Sequence, residues 1–266
     1  MKILFLGDVV GRSGRDAIKA HLPSLKEQLS PDVVIVNVDN AASGRGTTQA
    51  TAKEIISYGA DILTGGDHIW DQREMVCGVE NISCLLRPAN MPEGTPGKGM
   101  LQHRLTDGQK ITVLHLGGTV FMNAVFDSPF DCVDKILKHH HIGKGHHIFI
   151  DFHAEATSEK MALAQYLDGR VSAVIGSHTH IPTADAQVFQ GGTAFQCDAG
   201  MCGDYDSVIG VKASAPIHNF LRKVPKERME PADGEATLCG SFIETDDNTG
   251  LATKIKPIRV GGRLGL

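Results

Sequence analysis

A chain of 266 residues, 41% of them hydrophobic, can bury the core of one large α/β domain, and residues 1–266 read as a single unit with no linker or internal repeat. A net charge of −5, a pI near 6.2 and no long basic stripe exclude a protein that coats nucleic acid through counterion release, while a small phosphorylated ligand held through cations stays compatible. No stretch has the length of a membrane-spanning helix, and the apolar run after Met1 is too short for a secretory signal. The six cysteines lack zinc-binding spacing and read as reduced thiols, so the cytoplasm is the expected compartment.

Taken in order, the chain repeats one grammar. Lys2 to Gly7 is a short apolar run ending in Asp8. The following segment, Gly7 to Asp16, leads into a helix with Ile18, Leu22, Leu25 and Leu29 on one side, which Pro23 is expected to kink or restart. Its glycines do not have GxGxxG spacing and no Gly-Lys-Ser/Thr follows. Asp8 would also aim a negative charge at a pyrophosphate, which argues against a nucleotide loop. Asp32 to Val38 is a second run, ending in Asp39 and Asn40, and a helix follows from about Thr47 to Tyr58. The third run, Asp61 to Gly66, ends in Asp67 and His68, with Trp70 beside them as a packing residue or pocket wall.

Arg87 to Gly99 is a loop dense in Pro and Gly. It reads as a substrate-facing lid in which Arg87 and Asn90 are candidates to touch phosphate or a base, or else as solvated loop. A strand near Gln109 to Leu116 and a helix from Asp131 to His140 come next. The histidine cluster His139 to His147 then lies where a helix end favours imidazoles without any metal. His147 to Phe152 ends in His153, and Arg170 to Gly176 ends in Ser177, His178, Thr179 and His180. Strand-like runs at Ala184–Phe189, Thr193–Cys197, Glu235–Thr245 and Leu251–Val260 suggest a second sheet packed on the first.

Five runs therefore deliver Asp, Asn or His at their carboxyl ends. Any one case is ordinary turn chemistry, but in open α/β sheets that edge is where ligands bind, and hard or borderline donors gathered there point to metal ions. Two metals about 3.5–4 Å apart would lower the pKa of a shared water and clamp phosphoryl oxygens. The resulting hydroxide would attack phosphorus in line, and His68 would protonate the departing oxygen or, alternatively, orient the phosphate.

The order Gly7-Asp8, Asp39-Asn40, Gly66-Asp67-His68, an isolated His153 and Gly176-Ser-His-Thr-His180 resembles the calcineurin-like metallophosphoesterases. More narrowly, G-D-V-V-G-R-S-G-R-D, R-P-A-N-M-P-E-G-T-P-G, D-F-H-A-E-A-T-S-E-K and Y-L-D-G-R-V-S-A-V-I-G-S-H-T-H are similar to the YmdB-like phosphodiesterases, over Met1 to about Arg259. That resemblance implies a four-layer αββα sandwich of two mixed sheets flanked by helices. It also implies two metal ions, usually iron or manganese (the donor types suit zinc as well), and hydrolysis of phosphodiesters such as 2',3'-cAMP. It assigns Asp8, Asn40 and His180 to one metal, Asp67, His153 and His178 to the other, Asp39 to the bridge and His68 to proton donation.

The branch usually carries Glu at position 39 and Asn at 67, whereas this chain has Asp39 and Asp67. Asp39 is one methylene shorter. Asp67 adds a charge, which favours a centre containing ferric iron or else weakens catalysis. The expected partner is a small phosphodiester or cyclic nucleotide, with no membrane, no extended nucleic-acid surface, and homo-oligomerisation left open. The rival readings are a phosphomonoesterase or nucleotidase on the same metals, and a regulatory RNA-associated protein that uses the site to sense a ligand.

Overall fold

A computed structural model describes residues 1–224 and 228–265. In chain order the first half contains β1 (Lys2–Leu6), α1 (Gly11–Leu29), β2 (Val33–Asn37), α2 (Gln49–Ser57), β3 (Ile62–Thr64), α3 (Glu74–Gly78), β4 (Leu85–Leu86), β5 (Met100–Arg104) and β6 (Lys110–Gly117). There follow α4 (Pro129–Leu137), β7 (His146–His153), α5 (Thr157–Tyr166), β8 (Ala173–Ser177), β9 (Gln187–Val188) and β10 (Ala194–Gln196). β11 (Gly203–Asp204), α6 (Ser214–Arg222), β12 (Ala236–Thr245) and β13 (Ala252–Val260) complete the described elements.

The strands form two mixed sheets, one ordered β11-β12-β1-β2-β3-β4 with β13 on the free side of β12, the other β5-β6-β7-β8-β10-β9. Strand periodicity explains how they stack. In β1, Ile3 and Phe5 point between the sheets, where Phe5 meets Phe149 with ring centroids 5.3 Å apart, while Leu4 and Leu6 point outward to Ile18, Leu22 and Leu25 of α1. In β7 the same alternation sends Phe149 inward and Ile148, Ile150 and Phe152 outward to Val133 and Leu137 of α4 and Leu163 of α5. Three apolar layers thus separate four structural ones, the αββα sandwich expected. A large apolar side chain as fully buried as Phe5 or Phe149 contributes about 1.5–3 kcal/mol.

Two expectations are corrected. The C-terminal runs do not build the second sheet together. Only β9 and β10 join it, whereas β12 pairs antiparallel with β1, from Lys2↔Glu244 to Leu6↔Gly240, and carries β13 on its other side. Residue pattern alone cannot assign a strand that is buried on both faces to one sheet or the other, and β12 is such a strand. Pro23 does not restart α1, which runs unbroken from Gly11 to Leu29. The proline lies on the solvent side, and Ile18, Leu22 and Leu25 on the opposite side hold the helix to the sheet.

β5 and α6 were not anticipated. α6 buries only Ala215 and Pro216, and its apolar stripe of Ile217, Phe220 and Leu221 is exposed rather than packed on the core.

Within each sheet the central strands are parallel, so the carboxyl ends of β1, β2 and β3 lie along one edge and those of β7 and β8 along another. The two edges face each other across the sandwich. Beneath them a buried polar stitch joins the sheets. The Asn37 amide donates to Gly65 O at 2.9 Å and to Asp151 Oδ2 at 3.0 Å, and Thr64 and Ser177 donate to the Asp151 carboxylate at 2.6 Å each. These four side chains are fully buried, and their mutual satisfaction fixes the alignment of the two edges.

Candidate metal centre

The structure brings Asp8, Asp39, Asn40, Asp67, His68, His153, His178 and His180 together at the cleft between the two sheet edges. Asp8, Asp39–Asn40 and Asp67–His68 arrive from β1, β2 and β3, and the other histidines from β7 and β8. The sequence pointed to one strand edge; the site is instead made by two, because β1–β3 and β7–β8 belong to different sheets.

One half of the centre gathers around His180. Its Nε2 lies 3.2 Å from Asn40 Oδ1 and 4.0 Å from Asp8 Oδ1, and its Nδ1 donates to Ile209 O at 2.7 Å, which leaves Nε2 as the free lone pair. The other half gathers around Asp67 Oδ1, 3.1 Å from His153 Nε2 and 3.4 Å from His178 Nδ1, with the two ring nitrogens 3.1 Å from each other. The Asp39 carboxylate lies 3.4 Å from His153 Nε2 and accepts the His68 backbone N–H on both oxygens at 3.2 Å. Second partners orient the candidate ligand rings. His153 Nδ1 lies 2.9 Å from Ser177 Oγ, itself bound to Asp151, and His178 Nε2 lies 3.2 Å from Glu155.

Several features fit cations here. Asp8 Oδ1 is wholly buried and has no hydrogen-bond partner among the described residues, an arrangement costly for a carboxylate unless something positive faces it. Gly66 leaves space that a side chain would fill: a Cβ there would sit 2.5 Å from both Asp39 Cγ and His153 Nε2. Carboxylate, amide oxygen and imidazole donors together suit manganese, iron or zinc.

The electrostatics agree. Burial drives the Asp8 carboxyl above the ordinary range. Burial also pushes Asp67 up, but hydrogen bonds from His153 and His178 outweigh it and hold the group well below the ordinary range. Burial opposes a proton on His153, yet its contacts with Asp39 and Asp67 raise it well above its usual value. Asp67 and His153 thus answer each other as an ion pair, while burial leaves the charged form of Asp8 disfavoured unless a cation faces it.

His68 lies at the rim of the cluster, with a ring nitrogen within 4.8 Å of carboxylate oxygens of Asp39 and Asp67. Its Nδ1 lies 3.1 Å from Asp71 Oδ2, its Nε2 is 4.0 Å from Asp67 Oδ2, and its ring is partly open to solvent. Arg45 reaches the same Asp71 oxygen at 2.9 Å. Asp71, Glu155, Asp151 and Ser177 were not assigned roles from sequence. The i, i+3 spacing of His68 and Asp71 and the acidic residue inside an apolar strand at Asp151 were the signals available.

Arg87 and Asn90 do not join the cluster. Asn90 is buried and ties Gly117 to Asp127 through their backbone groups, while Arg87 donates to the carbonyls of Pro88, Thr95 and Pro96. Both brace the loop that was read as a lid. Trp70 packs on the core beneath α1 and α2. His139, His140, His141, His146 and His147 line a cavity of about 90 Å³ at the start of β7, whereas His153 ends that strand.

Comparison with known proteins places this geometry in a family. The model of the YmdB-like protein family matches residues 4–258. The chain is 44% identical over 260 residues to the 2',3'-cyclic-nucleotide 2'-phosphodiesterase of Bacillus subtilis (strain 168), covering 98% of this chain and 97% of that one. It superposes with a TM-score of 0.91 on a novel phosphatase from Mycoplasma pneumoniae, at 34% identity over 98% and 93% of the two chains. A hypothetical protein from Thermus thermophilus superposes equally well, with a TM-score of 0.91 and 36% identity over 99% and 100%.

Proposed function

The chain belongs to the YmdB-like family, and on that premise we propose that it is a two-metal phosphodiesterase that opens 2',3'-cyclic nucleotides. A hydrolytic activity on phosphoesters follows from its relatives; the substrate and the roles of individual residues are the proposal. The observation that carries it is the buried Asp8 Oδ1, without a hydrogen-bond partner among the described residues, in a cradle of convergent oxygen and imidazole donors with His68, beside Asp71, at its rim.

Asp8, Asn40 and His180 would hold one ion, Asp67, His153 and His178 the other, and Asp39 would lie between them. Such a pair supplies Lewis acidity toward the phosphoryl oxygens and an acidified water. The remaining work falls to the chain. The buried floor of Asn37, Thr64, Asp151 and Ser177 fixes where the donor side chains stand, so little reorganisation would be needed to hold ions there. Asp71 Oδ2 lies 3.1 Å from His68 Nδ1, and a carboxylate at that distance would favour the imidazole as a proton donor with Nε2 turned toward the centre. The Nε2 proton passes to the departing 2' oxygen as its bond to phosphorus breaks, which leaves a 3'-phosphate. The three carboxylates Asp8, Asp39 and Asp67, together with an ionised water, would cancel the charge of two divalent ions, so Asp67 weakens the pull on a monoanionic cyclic phosphate unless one ion is ferric.

The setting follows from the same reading: one domain over residues 1–266, acting in the cytoplasm on a diffusible substrate. Manganese-loaded protein incubated with 2',3'-cAMP tests it. The expected product is 3'-AMP, with bis(p-nitrophenyl) phosphate cleaved faster than p-nitrophenyl phosphate. A preference for the monoester would replace this reading with a phosphomonoesterase.

A further inference from the structure

Lys160 of α5 and Asp198 after β10 form a buried ion pair, each 1% exposed, with Nζ 2.9 Å from Oδ2, and neither touches a candidate metal ligand side chain. A buried pair of this kind is a weak stabiliser, because desolvation cancels most of its attraction. Its hydrogen bonds point to a different use, since they converge on the loop that carries two of the histidines. Lys160 Nζ also donates to Ser177 O at 2.8 Å. Asp198 Oδ2 accepts the Thr179 backbone N–H at 3.0 Å and the Thr179 hydroxyl at 2.7 Å, and Oδ1 accepts Gly200 N–H at 2.8 Å. Ser177 and Thr179 bracket His178, and Thr179 precedes His180.

The loop needs such restraint. His178 has φ 96° and His180 φ 68°, both in the left-handed region that residues with a Cβ avoid. Two strained residues separated by one position relax unless their neighbours fix the backbone between them. Here the only residue between them is bound to Asp198 through both its backbone N–H and its hydroxyl. The far side is closed by Met201 N–H and the Tyr205 hydroxyl, which both donate to His180 O.

We propose that Lys160 and Asp198 are positioning residues that hold His178 and His180 together in their strained conformation, so that the grip on both metal ions depends on one buried strap. The inference rests on the two-metal reading above and adds a coupling to it: loosening the strap weakens both ions together, whereas loss of one ligand unloads its own ion first.

The test is Mn²⁺ titration of full-length apo-protein in competition with a chromogenic chelator, with thermal unfolding of the same apo samples. The variants are the charge-neutral double Lys160→Met/Asp198→Asn, Thr179→Val, and Asn40→Ala as the single-ligand control. The double variant is expected to bind both Mn²⁺ ions about 10- to 100-fold more weakly, in parallel, while the apo-protein unfolds close to the wild-type temperature. Thr179→Val, which removes one hydrogen bond to the strap, is expected to shift both ions in the same sense by about tenfold or less. Asn40→Ala is expected to weaken one ion preferentially. Wild-type affinity for either ion in the double variant overturns the proposal; should that variant fail to fold, unchanged binding in Thr179→Val does so. A wild type that takes up no Mn²⁺ overturns the two-metal reading itself, and this inference with it.

Discussion

Adding a single methyl group at Gly66 tests how tightly the cradle is built. An alanine Cβ would lie 2.5 Å from Asp39 Cγ and 2.5 Å from His153 Nε2, roughly 1 Å inside ordinary contact. Neither neighbour can retreat freely, since Asp39 is held by the His68 backbone N–H on both oxygens and His153 by Ser177. Overpacking of this size costs about 1–3 kcal/mol, and a chain this long loses about 2–4 °C per kcal/mol, so Gly66→Ala is expected to melt about 2–12 °C lower and remain folded. Displacing reacting groups by about 1 Å costs about 100-fold in rate, so turnover should fall far more than stability. The assay is kcat on 2',3'-cAMP with metal content per chain, set against Gly143→Ala, where a Cβ meets nothing within 4 Å. Native metal content and turnover in Gly66→Ala would refute the reasoning.

Other outcomes follow from the same geometry. His68→Ala should keep its metals and lose about 100- to 10,000-fold in kcat, while Asp8→Asn and His178→Ala should lose both metal and turnover; full activity in His68→Ala removes the acid role. Asp67→Asn, which deletes one of three carboxylates, should change the metal bound and raise turnover, and unchanged values for both would show that this charge is immaterial. His147 lies far from the centre, and burial, helped by the nearby N-terminal ammonium, lowers its pKa to about 4. Its folded pKa is below the unfolded value near 6.5, so the stability it confers is fully present above pH 6.5 and is lost as pH falls toward 4, by about 3 kcal/mol. Urea unfolding of wild type and His147→Gln between pH 7 and 4 should show that slope only in the wild type; parallel curves would dismiss it.

Which parts of this protein were legible in its sequence depends on how local the signal is. Asp8, Asp39, Asn40, Asp67, His153, His178 and His180 each follow or end an apolar run, so the break in hydrophobicity exposes them one by one. Their division between two sheets was not visible, because β12 and β13 look like any buried strands until β1 is known to pair with them. The support beneath the site was hidden for a similar reason. Asp151, Ser177 and Asn37 acquire their meaning from contacts across more than 20 residues of sequence, which no local pattern encodes. Arg87 and Asn90 show the converse error: a polar residue in a Pro- and Gly-rich loop resembles a ligand contact, yet both are consumed by the carbonyl and amide groups that such a loop leaves unpaired.

The most direct test of the account is anomalous diffraction from crystals grown with Mn²⁺. It predicts two peaks about 3.5–4 Å apart on either side of the Asp39 carboxylate, one against Asp8, Asn40 and His180 and the other against Asp67, His153 and His178. One peak alone, or metal bound elsewhere with these side chains left facing water, would contradict it.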